Sequence, residues 1–164
     1  MNITYVHASK YGNGATVAKR FRDVMAAKGI TVDVAHVRQA DPQHLPPADL
    51  YVFSSPGRMG KPIGVARRFL RRVTLPAGTP YALLTTEAAP KPDKKSGQLP
   101  SAESLDRWQR VRPIMTELLD AKGLHKVGED RILVTGLRGP LEDGWETKVD
   151  AFADRVVAVP GLLD

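Results

Sequence analysis

The run Ser9-Lys10-Tyr11-Gly12-Asn13-Gly14-Ala15-Thr16 lies between a short apolar segment and a stretch of helical periodicity. Its two glycines permit positive φ and close backbone approach, so that successive N–H groups turn toward one point. Ser9, Asn13 and Thr16 add side-chain donors. The helix N-terminus that follows adds partial positive charge, worth up to about 2 kcal/mol to a partly buried anion. That is the chemistry of a phosphate cradle. A polar turn that simply starts a helix has the same composition. Two more specific phosphate motifs fail. A dinucleotide fingerprint needs a third small residue where Val17 stands, and a P-loop needs Ser or Thr after Gly60-Lys61, where Pro62 stands, and a glycine in place of Ser55.

Two further segments belong with the first. In an open parallel sheet, ligands bind beyond the carboxyl ends of the strands, where strand order reverses. Residues 8–14, 54–62 and 85 onward share that edge. No histidine pair has metal-site spacing among His7, His36, His44 and His125. No Gly-x-Ser-x-Gly elbow accompanies Ser54 and Ser55, which excludes that hydrolase pattern. His7, Ala8 and Ser9 stand where a phospho-receiver domain needs acidic residues.

The elements that position these loops follow from periodicity. Residues 2–7 and 50–53 are short apolar runs, as expected of buried strands, and Ile30, Val32 and Val34 alternate as in a half-buried edge strand. Residues 81–84 read as a fourth strand and 132–134 as part of a fifth. Helical stripes run over 16–28 (Val17, Phe21, Val24, Met25), over 63–73 (Ile63, Ala66, Phe69, Leu70, Val73) and through Trp145, Val149, Phe152 and Val156. Residues 41–47 leave no room for a helix between the second and third strands. Residues 87–104 form a long polar loop, and 107–121 a helix that Pro113 must kink or restart. Trp108 is placed to pack there or to cap a ligand. Strand–helix alternation of this kind implies a parallel sheet covered on both faces.

The chain has 164 residues, 24 Lys plus Arg against 18 Asp plus Glu, and no cysteine. Disulfides, thiolate metal sites and a Cys nucleophile are thereby excluded. No apolar run approaches a membrane span and the start lacks a signal-peptide pattern, so a cytoplasmic protein is expected. Residues 51–85 contain no acid, while Arg58, Lys61, Arg67, Arg68, Arg71 and Arg72 are basic. Such a stripe is either a solvated helix face or a docking surface for an acidic partner, nucleic acid or anionic lipid.

On these residues the chain resembles the flavodoxins. The strand, the loop Ser9-Lys10-Tyr11-Gly12-Asn13 and the helix carrying Ala18 are similar to the family's FMN-phosphate loop. Ser55-Pro56-Gly57-Arg58-Met59-Gly60 is similar to its second flavin loop, and Gly136-Leu137-Arg138-Gly139-Pro140-Leu141 to a stretch recurrent in bacterial and archaeal members. The resemblance covers most of the chain. It implies an α/β, flavodoxin-like three-layer sandwich in one domain over residues 1–164, with a five-stranded parallel sheet of order 2-1-3-4-5.

It also implies non-covalent FMN held by Ser9, Lys10, Tyr11, Gly12, Asn13, Gly14, Ala15, Thr16, Ser55, Pro56, Gly57, Arg58, Met59, Gly60, Thr86 and Glu87. Gly57 and Gly60 would admit a planar ring. Met59 would lie on its face or plug the core, and Arg58 or Lys61 would favour the anionic reduced form. The sequence departs from the family's pattern in three ways. Gly14 replaces the last hydroxyl of the phosphate loop, leaving that bond to backbone or Thr16; residues 86–90 offer no aromatic or Gly-rich cover; and the chain is basic.

The function implied is an FMN flavoprotein in electron transfer with a redox partner protein, which the basic stripe suggests is acidic. Two alternatives stand beside it. One is an FMN-dependent oxidoreductase similar to the flavodoxin-type protoporphyrinogen dehydrogenases, its substrate cavity built by the long loop. The other is a binding module that has kept the fold without the flavin. Nucleic acid is not an expected partner; peripheral membrane contact is compatible with the basic face.

Overall fold

The computed structural model describes residues 1–162. Its main sheet is built from β1 (Asn2–His7), β2 (Thr31–His36), β3 (Leu50–Ser54), β6 (Pro80–Ala88) and β7 (His125–Val134), all parallel, in the order β2-β1-β3-β6-β7. The two numbers skipped belong to a small antiparallel hairpin, β4 (Gly57–Arg58) and β5 (Lys61–Pro62). With that hairpin set aside, the order is the expected 2-1-3-4-5.

Strand β3 shows why the sheet reads as it does. All five of its residues are buried. Leu50 and Val52 enter the apolar cluster beneath α1 (Asn13–Ala27) and α5 (Trp145–Val157), whereas Tyr51 and Phe53 enter the cluster beneath α2 (Gly64–Arg72) and α4 (Val111–Asp120). A strand covered on both faces has no polar side to show, hence the continuous apolar run. Edge strand β2 keeps its alternation, with Val32 buried between exposed Thr31 and Asp33.

Two strands extend beyond their apolar signals. β6 continues through Thr85, Thr86 and Glu87, all buried, and β7 begins at His125 rather than near Ile132. The polar part of β7 is accommodated by ion pairing. Lys126 Nζ lies 2.6 Å from Glu129, which also receives Arg112 Nη1 at 2.7 Å. Burial pushes the Glu129 carboxyl up, but Lys126 and Arg112 outweigh it and hold the group below the usual range.

The segment after β6 contains α3 (Ala102–Trp108), and the expected break falls at Gln109 and Arg110, just before α4. Pro113 is the third residue of α4, where its missing N–H has no intrahelical partner to lose. No helix of the described residues is long and apolar enough to cross a membrane.

Candidate functional site

A cavity of about 380 Å3 opens at the carboxyl edge of the sheet. It is bordered by Ser9, Lys10, Tyr11, Asn13 and Gly14 after β1, by Pro56, Gly57 and Arg58 of the hairpin, and by Thr86, Glu87 and Ala88 at the end of β6. Val134, Gly136 and Leu137 close the far side. Three loops separated by some forty and then thirty residues of chain therefore meet around one space, at the point where β1 and β3 leave in opposite directions.

The first loop has the features of an anion cradle. Gly12 is the N-cap of α1 with φ 91°, in the left-handed region that favours glycine, and no side chain caps the helix. The N–H groups of Asn13, Gly14 and Ala15 thus open the helix without intrahelical partners. Gly12 N–H itself donates to Ser9 Oγ at 3.0 Å. Helix α1 starts at Asn13 rather than Thr16, and the Thr16 hydroxyl donates back to Gly12 O at 3.0 Å. Thr16 therefore braces the turn and does not border the cavity, which leaves the backbone as the substitute for the hydroxyl missing at Gly14.

The peptide of Ser9 is gripped by two histidines. Its N–H donates to His7 Nδ1 at 3.2 Å, and His36 Nε2 donates to its carbonyl at 3.0 Å. Arg38 N–H lies 3.1 Å from His36 Nδ1, so both ring nitrogens of His36 are engaged by backbone. The sequence offered no sign of this pair; it follows from the register, which sets His7 beside His36 on β1 and β2. Burial, with His36 adding to it, holds the His7 imidazole below its ordinary value of 6.5. A histidine depressed in the folded state contributes stability that is complete above the unfolded pKa and is lost as pH falls toward the folded one. Thermal stability is therefore expected to decline as pH falls through the ordinary histidine value, and His7→Asn, whose amide oxygen still accepts from Ser9, to flatten that decline in a melting series.

The hairpin is shaped by close approach. Met59 and Gly60 form its tip with φ 53° and 74°, the paired positive values of a type I′ turn. Arg110 N–H donates to Gly60 O at 2.6 Å, seating the tip on the α3–α4 junction. Met59 is 82% exposed, so it plugs no core and lies outside the cavity wall. Ser55 points inward: its hydroxyl accepts from Ile63 N–H at 3.2 Å and donates to Pro56 O at 2.8 Å, tying the two ends of the hairpin.

At β6, Thr86 borders the cavity with its hydroxyl buried and unpartnered. Glu87 is different. Its carboxylate is fully buried, accepting from Thr85 Oγ1 and from Arg112 Nε at 2.9 Å, with Arg131 Nη1 3.5 Å away. Burial lowers the Arg112 guanidinium, but Glu87 and Glu129 raise it further, so it stays a cation. The one acid bordering the cavity is thus neutralised from behind, and Lys10, Arg58 and nearby Arg138 leave the rim positive. Arg138 and Lys10 both sit over the Tyr11 ring, 5.3 and 5.4 Å from its centre. Tyr11 is 44% exposed and Leu137 80%, two apolar side chains that border the space.

No protein-family model and no curated protein matches the chain. Solved structures do. The flavodoxin of Streptococcus pneumoniae TIGR4 superposes with a TM-score of 0.67 over 96% of this chain and 99% of its own, at 17% identity. The fold is that of the flavodoxins. Flavodoxin 1 of Bacillus cereus gives 0.65 at 16% identity, over 96% of this chain and 97% of its own. Rubredoxin oxygen:oxidoreductase from Desulfovibrio gigas gives 0.66 at 11% identity, where 99% of this chain matches 37% of that one. In this flavodoxin fold, Ala15 lies inside the first turn of α1 and Gly12, Ala15, Thr16, Ser55, Met59 and Gly60 shape the loops, whereas the other expected residues border the cavity directly.

Proposed function

We propose that this chain binds FMN non-covalently in the 380 Å3 cavity and acts as an electron-transfer flavoprotein. The observation that carries this reading is the uncapped N-terminus of α1, set by Gly12 and aimed at a cavity with a positive rim. The cavity suits the group. Asn13, Gly14 and Ala15 N–H groups would hold the phosphate, the unpartnered Thr86 hydroxyl has an acceptor or donor to find there, and Tyr11, Gly57 and Leu137 would bound the ring. FMN when bound supplies one- and two-electron redox chemistry. The chain's own residues hold the phosphate, keep water from the inner end of the site and set the local charge.

Arg58 is the charge whose effect is easiest to read. It borders the cavity, and no ion pair engages it among the described residues. A cation there favours the anionic reduced cofactor. Arg58→Glu reverses that field and is expected to lower the midpoint potential of bound FMN by roughly 50 mV. An unchanged potential would return Arg58 to the solvated surface.

An acidic redox protein is the partner that this surface suits. Arg68, Arg71 and Arg72 are exposed on α2, beside the hairpin that carries exposed Met59. The reading as a whole is tested by FMN titration of the purified chain.

A further inference from the structure

A second cavity, of about 470 Å3 and mainly apolar, adjoins the first. One wall is the chain leaving β6, residues 88–91; the other is Pro100 with Leu105 and Trp108 of α3. Ala88 borders both cavities. Its carbonyl is fixed by Gln109 Nε2 at 2.8 Å, so the partition between the two spaces is a held feature of the fold.

Helix α3 is specified locally but serves no core. Ser101 caps it, accepting from Ser104 N–H at 3.1 Å, and Glu103 lies in its first turn. Yet none of its residues is buried. Leu105 and Trp108, three apart and so on one face, join neither apolar cluster and border the cavity instead. Trp108 is 55% exposed, and Leu99 in the preceding loop is 61% exposed. The loop and helix are held by polar contacts, such as Arg131 to Asp106 at 3.3 Å, rather than by apolar burial.

The polarity of the space narrows what fills it. Lys91 is the only ionisable residue on its wall, Lys94 and Lys95 follow, and none of the three has an ion-pair partner among the described residues. An aromatic tryptophan face, aliphatic walls and the unpaired Lys91 complement a ring-bearing molecule with an anionic group.

We propose that this second cavity binds an aromatic small-molecule anion, held one residue away from the cofactor cavity. The binding itself stands on the cavity; its meaning, a substrate site that makes the chain an enzyme as well as a carrier, rests on the FMN reading above.

The test is titration of the full chain with 1-anilinonaphthalene-8-sulfonate, an aromatic anion, with and without FMN. Saturable binding at one site is expected, with energy transfer from Trp108 that Trp108→Phe removes. Binding should survive FMN loading. Ala89→Trp, which fills the space, is expected to weaken it at least tenfold, and Lys91→Glu about fivefold. Leu105→Glu, on a helix with no buried residue, guards against misfolding of the filled variant. All three should leave FMN uptake unchanged. Absence of saturable binding, binding unaffected by both Ala89→Trp and Leu105→Glu, or displacement by FMN would overturn the proposal. Absence of FMN uptake with dye binding intact would instead remove the cofactor reading and leave the site.

Discussion

Gly12→Val is expected to reduce FMN affinity by at least about 100-fold while the chain remains folded. Gly12 caps α1 at φ 91°, and an added Cβ there meets no atom within 4 Å. The side chain is therefore accommodated, and the damage comes through the backbone. Valine at positive φ costs roughly 1–3 kcal/mol, and relieving that strain turns the peptide that presents the first N–H groups of the helix. That turn also takes away the helix-terminus interaction, worth up to about 2 kcal/mol. Gly29 is the control, at φ 75° with equally open surroundings but beyond the far end of α1. Gly29→Val should show a comparable fall in Tm and unchanged FMN binding. Equal binding by Gly12→Val and the parent chain would put the phosphate elsewhere.

Gly60→Ala is expected to be the most damaging single methyl in the site. Gly60 has φ 74°, and an ideal Cβ there would lie 2.1 Å from the Trp108 carbonyl oxygen, which belongs to backbone and cannot swing aside. The hairpin must lift from the α3–α4 junction, which breaks the bond from Arg110 N–H to Gly60 O. Left-handed strain of roughly 1–2 kcal/mol and overpacking of roughly 1–3 kcal/mol combine to a loss of about 2–5 kcal/mol. For a chain of this size that is a fall in Tm on the order of 10 °C. Because the hairpin borders the cofactor cavity, FMN affinity should fall with it. A Tm within about 2 °C of the parent would show that the junction is looser than the contact implies.

These two glycines differ in how far the sequence announces them. Gly12 sits in a recognisable loop composition, and its role as helix cap is continuous with that reading. Gly60 gave only permission for a close approach; its partner, Trp108, is 48 residues away and was placed by a break in α3–α4 that Pro113 signalled without locating. The strands divide in the same way. β3 was legible because both its faces are apolar, whereas the first half of β7 was hidden by charges that compensate one another through Arg112 and Lys126. Periodicity reports burial in apolar surroundings and is blind to polar groups buried in pairs.

The site shows the same limit. The cradle, the hairpin and the end of β6 were each visible as short local patterns, and the fold brings them together. The grip of His7 and His36 on Ser9 depends on strand register, which no local pattern carries. The resemblance groups Glu87 with the cofactor contacts, but its carboxylate is committed to Arg112 of α4. The second cavity lies where the sequence offers a long polar loop able to build a substrate cavity and Trp108 able to cap a ligand. Its apolar lining comes from Ala88, Ala89, Pro90 and Pro100 within that loop and from Leu105 and Trp108 just after it, which composition averages away.

The central claim is tested most directly by the visible absorption spectrum of the freshly purified chain, followed by titration with FMN. The account predicts flavin bands as isolated or tight, saturable uptake of one FMN per chain, lost in Gly12→Val and kept in Gly29→Val. A colourless protein that takes up no FMN at low salt would contradict it, and would leave a flavodoxin fold without flavodoxin chemistry.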